Sequence, residues 1–340
     1  MEAAQEPISP SADPRQGESV AAQGIGTTIS QLTKMRLTAL VLLTIAVGYA
    51  LGRVGQESFD WLRLGWTMLG ASFAATGSAI LNQVFESQRD SRMNRTRNRP
   101  VPMGRVSRTG GFAAGILCGY AGFSLLLATV NVLAASLTLL TLLVYILVYT
   151  PMKPITTLNT IVGAVSGAIP PMIGWSAATG GLEAGAWLVG SILFIWQLPH
   201  FLALAWMYRD DYKRGGHAML PVVDPSGRLT GQVMLMTSLL LIPVGLSSTL
   251  LGITGWVSAV ASVLLGGWFG WRCLGFWRVR TRENARSAFF ASLAYLPLML
   301  GVMVLDRGPV SPEAWLRGGR EPLKTSVALP GTTFTDQNSD

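Results

Sequence analysis

Three polar side chains stand where an apolar run gives way to charge: Asn82, Glu86 and Asp90. Their i, i+4, i+8 spacing sets them in one stripe along a helix, climbing about 12 Å. Like charges so placed repel unless something positive lies between them. Hard oxygen donors in a row suit Mg2+, which keeps several waters and bridges a carboxylate to a substrate phosphate. The plainer reading is a solvated helix end, with the acids paired to Arg89 or Arg92. Asn82 counts against it, because a polar group at membrane depth needs a partner. The stripe runs directly into a loop bearing Arg95, Arg97 and Arg99. A dense arginine loop beside carboxylates can hold a diphosphate. For any single arginine there, membrane topology is explanation enough.

Two further groups belong with these. The short loop Tyr149-Thr150-Pro151-Met152-Lys153-Pro154 has Lys153 as its one charge, and an apolar segment with Gly163, Gly167, Pro170, Pro171 and Gly174 follows it. Inside a membrane such a segment kinks, or packs closely against neighbours that satisfy the freed backbone groups. Gln197 and His200 flank the helix-breaking Pro199 in another apolar segment. A histidine buried in a membrane is a functional candidate, with an interhelical hydrogen bond as the structural alternative. That segment leaves through Arg209-Asp210-Asp211-Tyr212-Lys213-Arg214, a second acidic pair with basic neighbours. Two acidic helix ends at one mouth could hold a diphosphate between them through Mg2+. His217, in a Gly-rich loop, reads as incidental. A departing diphosphate needs its growing charge stabilised, and an apolar cavity keeps water from a carbocation. These residues point to an intramembrane enzyme acting on a lipid diphosphate. Nothing in their spacing identifies the acceptor.

The elements that must position these groups follow from composition. Half of the 340 residues are hydrophobic and only 13% are charged, against about 25% charged in a soluble domain. Mean hydropathy is +0.41. The apolar residues form blocks of roughly 20, the length that spans a bilayer as a helix. This excludes a soluble enzyme, a disordered chain and a disulfide-stapled domain, and the blocks lack the alternation of an outer-membrane barrel. Cys118 and Cys273 lie inside apolar blocks and read as small core residues. The blocks predict nine spans, near 35–52, 64–85, 110–130, 132–149, 158–178, 184–207, 230–251, 255–276 and 288–305. The expectation is an all-α polytopic membrane protein, a nine-transmembrane-helix bundle with a cytoplasm-facing intramembrane cavity. It occupies residues 31–305, between disordered tails at 1–30 and 306–340. The first 26 residues are polar and acidic, unlike a cleavable signal peptide.

Loop charge gives the orientation. The side bearing the N-terminus collects 20 of the 26 Lys and Arg, so the positive-inside rule makes it cytoplasmic and an odd span count leaves the C-terminus external. The net charge of +8 is therefore mostly topology and implies no nucleic acid. Topology does not explain why Glu86, Asp90, Asp210, Asp211 and Asp224 share that side with the arginines.

Segments 82–102, 149–175 and 196–223 resemble the UbiA-like intramembrane prenyltransferase superfamily, and within it the heme-farnesylating branch that forms heme O. The first carries Asn82-x3-Glu86-x3-Asp90-x2-Met93-x-Arg95-Thr96-x2-Arg99-Pro100, with Glu86 where many members have Asp, a longer reach to the same metal. The second pairs Tyr149-Thr150-x2-Lys153 with Gly167-Ala168-Ile169-Pro170-Pro171-x2-Gly174-Trp175. The third joins Trp196-Gln197-x-Pro199-His200-Phe201 to Asp211-Tyr212 and Met219-Leu220-Pro221. Relatives acting on quinone precursors carry an acid where this chain has His200, which favours the heme branch. The resemblance covers nearly the whole bundle.

It implies that farnesyl diphosphate, bound with Mg2+, loses diphosphate, that the farnesyl carbon adds to a vinyl group of heme b, and that water completes the substituent. It implies Asn82, Glu86, Asp90 and Asp211 as metal ligands, with Glu86, Asp90 and Asp211 catalytic. Arg95, Arg99, Tyr149, Lys153 and Lys213 would hold the diphosphate, and His200 would ligate or orient the heme. Partners would be membrane lipid and heme-modifying or terminal-oxidase assembly proteins, in the cell inner membrane. A prenyltransferase with a quinone-precursor or chlorophyll-type acceptor is an alternative, as is a non-catalytic heme or lipid transporter.

Overall fold

Short polar side chains start several of the helices. Asp60 accepts the backbone N–H of Arg63 at 2.9 Å, Ser107 that of Gly110 at 3.0 Å, Asn131 that of Ala134 at 2.7 Å and Thr281 that of Asn284 at 3.2 Å. Each satisfies a donor that the first turn leaves free. The computed structural model describes residues 24–53 and 58–308. In chain order the helices are α1 (Ile25–Leu32), α2 (Met35–Gly52), α3 (Trp61–Asp90), α4 (Arg108–Thr129), α5 (Val132–Met152) and α6 (Asn159–Thr179). There follow α7 (Ala184–Met207), α8 (Arg209–Arg214), α9 (Leu220–Val223), α10 (Arg228–Leu250), α11 (Trp256–Arg278) and α12 (Arg282–Leu305).

Among the described residues, nine of these helices are long and apolar enough to cross a membrane: α2 to α7 and α10 to α12. They match the nine predicted blocks, with two extensions. Helix α3 continues past the apolar block to Asp90, because its terminal acids are neutralised by basic partners. Helix α12 starts at Arg282 rather than near 288, on the Thr281 cap. The expected N-terminal tail gives way to helix at Ile25, and its residues 1–23 lie outside the described residues. So does the C-terminal tail from 309 onward.

Helices α6 and α7 are central, with 78% and 67% of their apolar windows buried, whereas α4, α5 and α10, at 28%, form outer walls. In lipid, close packing rather than water exclusion draws helices together, and small residues permit it. At Gly174 of α6 a Cβ would collide with the Ile45 carbonyl of α2, and at Gly48 of α2 one would collide with the Pro171 carbonyl. Backbones this close hold α2 against the Pro170-Pro171 segment. Helix α5 ends in a π-helical stretch, Val144–Tyr149, a distortion frequent at functional sites. There Thr150 donates its hydroxyl to the Tyr145 carbonyl at 2.8 Å. Tyr145 and Tyr149, four positions apart in this stretch, pack with ring centroids 5.3 Å apart.

Candidate active site

The α3 stripe ends in a polar cavity of about 80 Å³, lined by Asn82, Glu86 and Asp90 and by the cations Lys34, Arg95, Arg99 and Lys153. Each stripe residue is buried and meets one cation. Lys34 Nζ donates to Asn82 Oδ1 at 2.6 Å, Lys153 Nζ to Glu86 Oε1 at 2.6 Å and Arg99 Nη1 to Asp90 Oδ2 at 2.7 Å. The three cations come from different places: the turn before α2, the end of α5 and the arginine loop. This pairing resolves the repulsion along the stripe. One atom is left over. Asp90 Oδ1 is buried without a hydrogen-bond partner, a vacant hard donor in a place where such atoms are rarely left alone. Among the described residues, no three His, Cys, Asp or Glu side chains form a metal cage. A stripe of two carboxylates and an amide instead suits an ion completed by water and substrate oxygens.

The arginine loop is shaped from across the molecule. Asp211 of α8 accepts the backbone N–H groups of Asn94 and Arg95, at 3.0 and 3.1 Å, and also pairs with Arg214. Burial alone would raise its carboxyl; those donors and Arg214 outweigh burial and hold it below the usual range. Tyr212 receives Arg95 Nη2 on its hydroxyl at 3.0 Å, and the Arg95 guanidinium lies 5.3 Å from the ring centroids of both Tyr208 and Tyr212. Two of the expected site residues lie off this cavity. Asp211 does not line the cavity, and its carboxylate, holding two amides of the arginine loop and Arg214, positions that loop. Lys213 is exposed and does not line the cavity either.

Three residues that sequence reading passed over do line it. His217 is buried, packs edge-on to Tyr212 at 5.8 Å and has its ordinary value pushed down to about 4 by burial. Lys34 is pushed down to about 7, chiefly by burial, with Arg99 and Lys153 adding to the effect. Tyr145 completes the wall. The available signal was the position of Lys34, immediately before an apolar block at the same membrane face as the stripe.

A second cavity, about 370 Å³ and apolar, lies beside the first. Lys34, Tyr145 and Tyr149 line both. Tyr149 carries the Lys153 ammonium 4.5 Å from its ring centroid. Deeper in the apolar cavity are Trp196, Gln197 and His200 of α7 and Leu293 and Leu296 of α12. Gln197 packs its amide against Gly167, where a Cβ would overlap it in this rotamer. His200 thus lines the apolar cavity and not the polar one that holds the acid stripe.

Fold and site together define a class: a polytopic helical membrane protein in which a pocket of acids and cations shares a wall of side chains with an apolar chamber. The chain belongs to the UbiA prenyltransferase family, whose signature spans residues 41–294. It is 43% identical over 284 residues to a protoheme IX farnesyltransferase of Solibacter usitatus, covering 82% of this chain and 97% of that one. It is 40% identical over 281 residues to the mitochondrial protoheme IX farnesyltransferase of Homo sapiens, covering 83% of this chain and 62% of that one. Among solved structures, a UbiA homologue from Archaeoglobus fulgidus bound to DMAPP and Mg2+ superposes with a TM-score of 0.62 at 13% identity, over 81% of this chain and 99% of that one. A digeranylgeranylglyceryl phosphate synthase superposes with a TM-score of 0.69 at 13% identity, over 82% and 97%.

Proposed function

We propose that this chain transfers the farnesyl group of farnesyl diphosphate to a vinyl group of heme b, with one water adding to the other vinyl carbon, giving heme O and diphosphate, the heme serving a terminal oxidase. The observation that carries the reading is that a charged and an apolar cavity lie side by side and share Lys34, Tyr145 and Tyr149 as lining. A diphosphate with a long apolar tail needs a small charged pocket beside a larger apolar one. The 43% and 40% identity to protoheme IX farnesyltransferases supports heme b as acceptor.

Asn82, Glu86 and Asp90 would hold Mg2+, a fit supported by the unpartnered Asp90 Oδ1. When bound, that ion neutralises charge on the departing diphosphate. Arg95, Arg99 and Lys153 bind the diphosphate oxygens, and Lys34 faces them from the turn before α2. Tyr149 holds the Lys153 ammonium over its ring and lines both cavities. Pairing within the free site keeps these cations oriented before substrate arrives, so little reorganisation is needed as charge develops. The apolar chamber takes the farnesyl chain and keeps bulk water from the allylic cation until the vinyl group adds. His200 orients the heme acceptor. The basic side, with the N-terminus, faces the cytoplasm.

The test is direct. Purified protein is incubated with heme b, farnesyl diphosphate and Mg2+, and the products are weighed by mass spectrometry. The expected product is a heme heavier by one farnesyl group plus one water, absent when Mg2+ is removed. Unchanged heme together with a prenylated product from an aromatic acid would overturn the acceptor.

A further inference from the structure

Ser292 of α12 is fully buried and faces His200 of α7. Its hydroxyl has one hydrogen and donates it to the Phe289 carbonyl, one turn back, at 2.6 Å. The same oxygen lies 2.8 Å from His200 Nδ1. With that hydrogen directed to Phe289, Ser292 Oγ is placed to accept from Nδ1, which favours the tautomer whose ring hydrogen is on Nδ1. An uncharged imidazole has a single N–H, which leaves Nε2 with a bare lone pair. No hydrogen bond to Nε2 exists among the described residues, Nε2 is not a buried orphan, and the ring lines the apolar cavity.

The ring plane is fixed as firmly as its hydrogen. Trp196 stacks on one side, centroids 4.7 Å apart and 21° from parallel, and Phe289 stacks at 4.9 Å and 25°. Trp196 also donates its indole N–H to the Ser292 carbonyl at 2.8 Å. Ser292 therefore fastens both the histidine and its stacking partner. A purely structural histidine would need only one hydrogen bond in any orientation. Here stacking selects the plane, and a hydroxyl with its own hydrogen committed elsewhere selects the nitrogen.

We infer that Ser292 is a positioning residue that sets the tautomer of His200 and presents Nε2 to the apolar cavity as an axial ligand for the iron of the heme acceptor. This rests on the reading of that acceptor as heme b. Nε2 donates its lone pair to iron, and no electron is gained or lost. The bond would hold the macrocycle at one height, which fixes where its vinyl edge lies relative to the polar cavity. Without the Ser292 oxygen the hydrogen is free to move to Nε2 and block the lone pair. Partners that orient metal-bound histidines in this way typically contribute about 10–100-fold to affinity.

The experiment uses the full-length protein in detergent, with His200→Ala, Ser292→Ala, Ser292→Cys and Ser292→Thr. Heme b is titrated by absorbance, farnesyl diphosphate is titrated separately, and each sample is melted. Ser292→Ala and Ser292→Cys should weaken heme binding about tenfold or more and shift the heme spectrum toward that of His200→Ala. The thiol nearly keeps the size of the hydroxyl but accepts hydrogen bonds weakly. Ser292→Thr restores the acceptor and should restore affinity and spectrum. Farnesyl diphosphate affinity should be unchanged throughout, which marks the variants as folded. If His200→Ala loses heme while Ser292→Ala and Ser292→Cys keep wild-type affinity and spectrum, the positioning role is overturned and the heme reading stands. If His200→Ala also binds heme like wild type, ligation itself is overturned.

Discussion

Lys153 Nζ lies 2.6 Å from Glu86 Oε1, joining the end of α5 to the acid stripe of α3 across the polar cavity. A buried carboxylate with one close cation is poised to exchange that partner for a stronger one. Glu86→Gln should lower turnover about 100-fold or more, as loss of a preorganised charge does, with expression intact. Lys153→Met leaves the Glu86 carboxylate buried beside less positive charge and should cost up to about 3–5 kcal/mol. The double variant should recover the melting temperature but not the activity. Turnover within twofold of wild type for Glu86→Gln, at saturating Mg2+ and farnesyl diphosphate, would remove Glu86 from the site.

Asp210 and Asp211 are adjacent in sequence and different in structure. Asp210 is exposed, whereas Asp211 holds the Asn94 and Arg95 amides. Asp211→Asn keeps one acceptor oxygen but loses the charge, and each charge-assisted bond contributes about 1.5–3 kcal/mol. The expected result is a raised KM for farnesyl diphosphate with little change in the Mg2+ requirement, and almost no effect from Asp210→Asn. Steady-state kinetics on both variants decides it. Equal losses, or a Mg2+ requirement that shifts with Asp211→Asn, would return Asp211 to the metal site.

Asp224 is a partly buried acid on this face that lies outside the site. It accepts the Thr230 N–H at 2.8 Å and hydroxyl at 3.0 Å, and the Ser226 hydroxyl at 2.7 Å, fixing the start of α10. Burial would raise its carboxyl, but these donors prevail and hold it below the usual range. Its stabilisation is full above the ordinary Asp value of about 3.9 and is lost as pH falls through the lower folded value. Asp224→Ala should cost about 1 kcal/mol near pH 7, a gap that closes in acid, with Mg2+ dependence unchanged. Melting curves at several pH values check this; a gap that widens in acid would contradict the sign.

The basic face is expected to be cytoplasmic, with nine spans placing the two ends in opposite compartments. Compartment-sensitive reporters fused at each end test both statements. Reporters in the same compartment would refute the odd count.

Sequence alone determined what is local. Apolar blocks of membrane length gave the nine spans, and the phase of a helix put Asn82, Glu86 and Asp90 on one stripe before any partner was known. Their neighbours could not be read the same way. Asn94 and Asp211 are 117 positions apart, and only folding shows that Asp211 shapes the arginine loop instead of lining the cavity. Lys34 reads as topology charge and His217 as a loop residue, until the packing of α2 on α6 and the turn after α8 bring both to the stripe. The same holds for His200, whose sequence context offers a buried imidazole but not which nitrogen is bare; that is decided by Ser292, 92 positions away. Helical periodicity fixes which side chains share a face, because each residue turns by a constant angle. Which faces meet depends on close approaches such as Gly48 against Pro171, a property of two surfaces that neither segment carries alone.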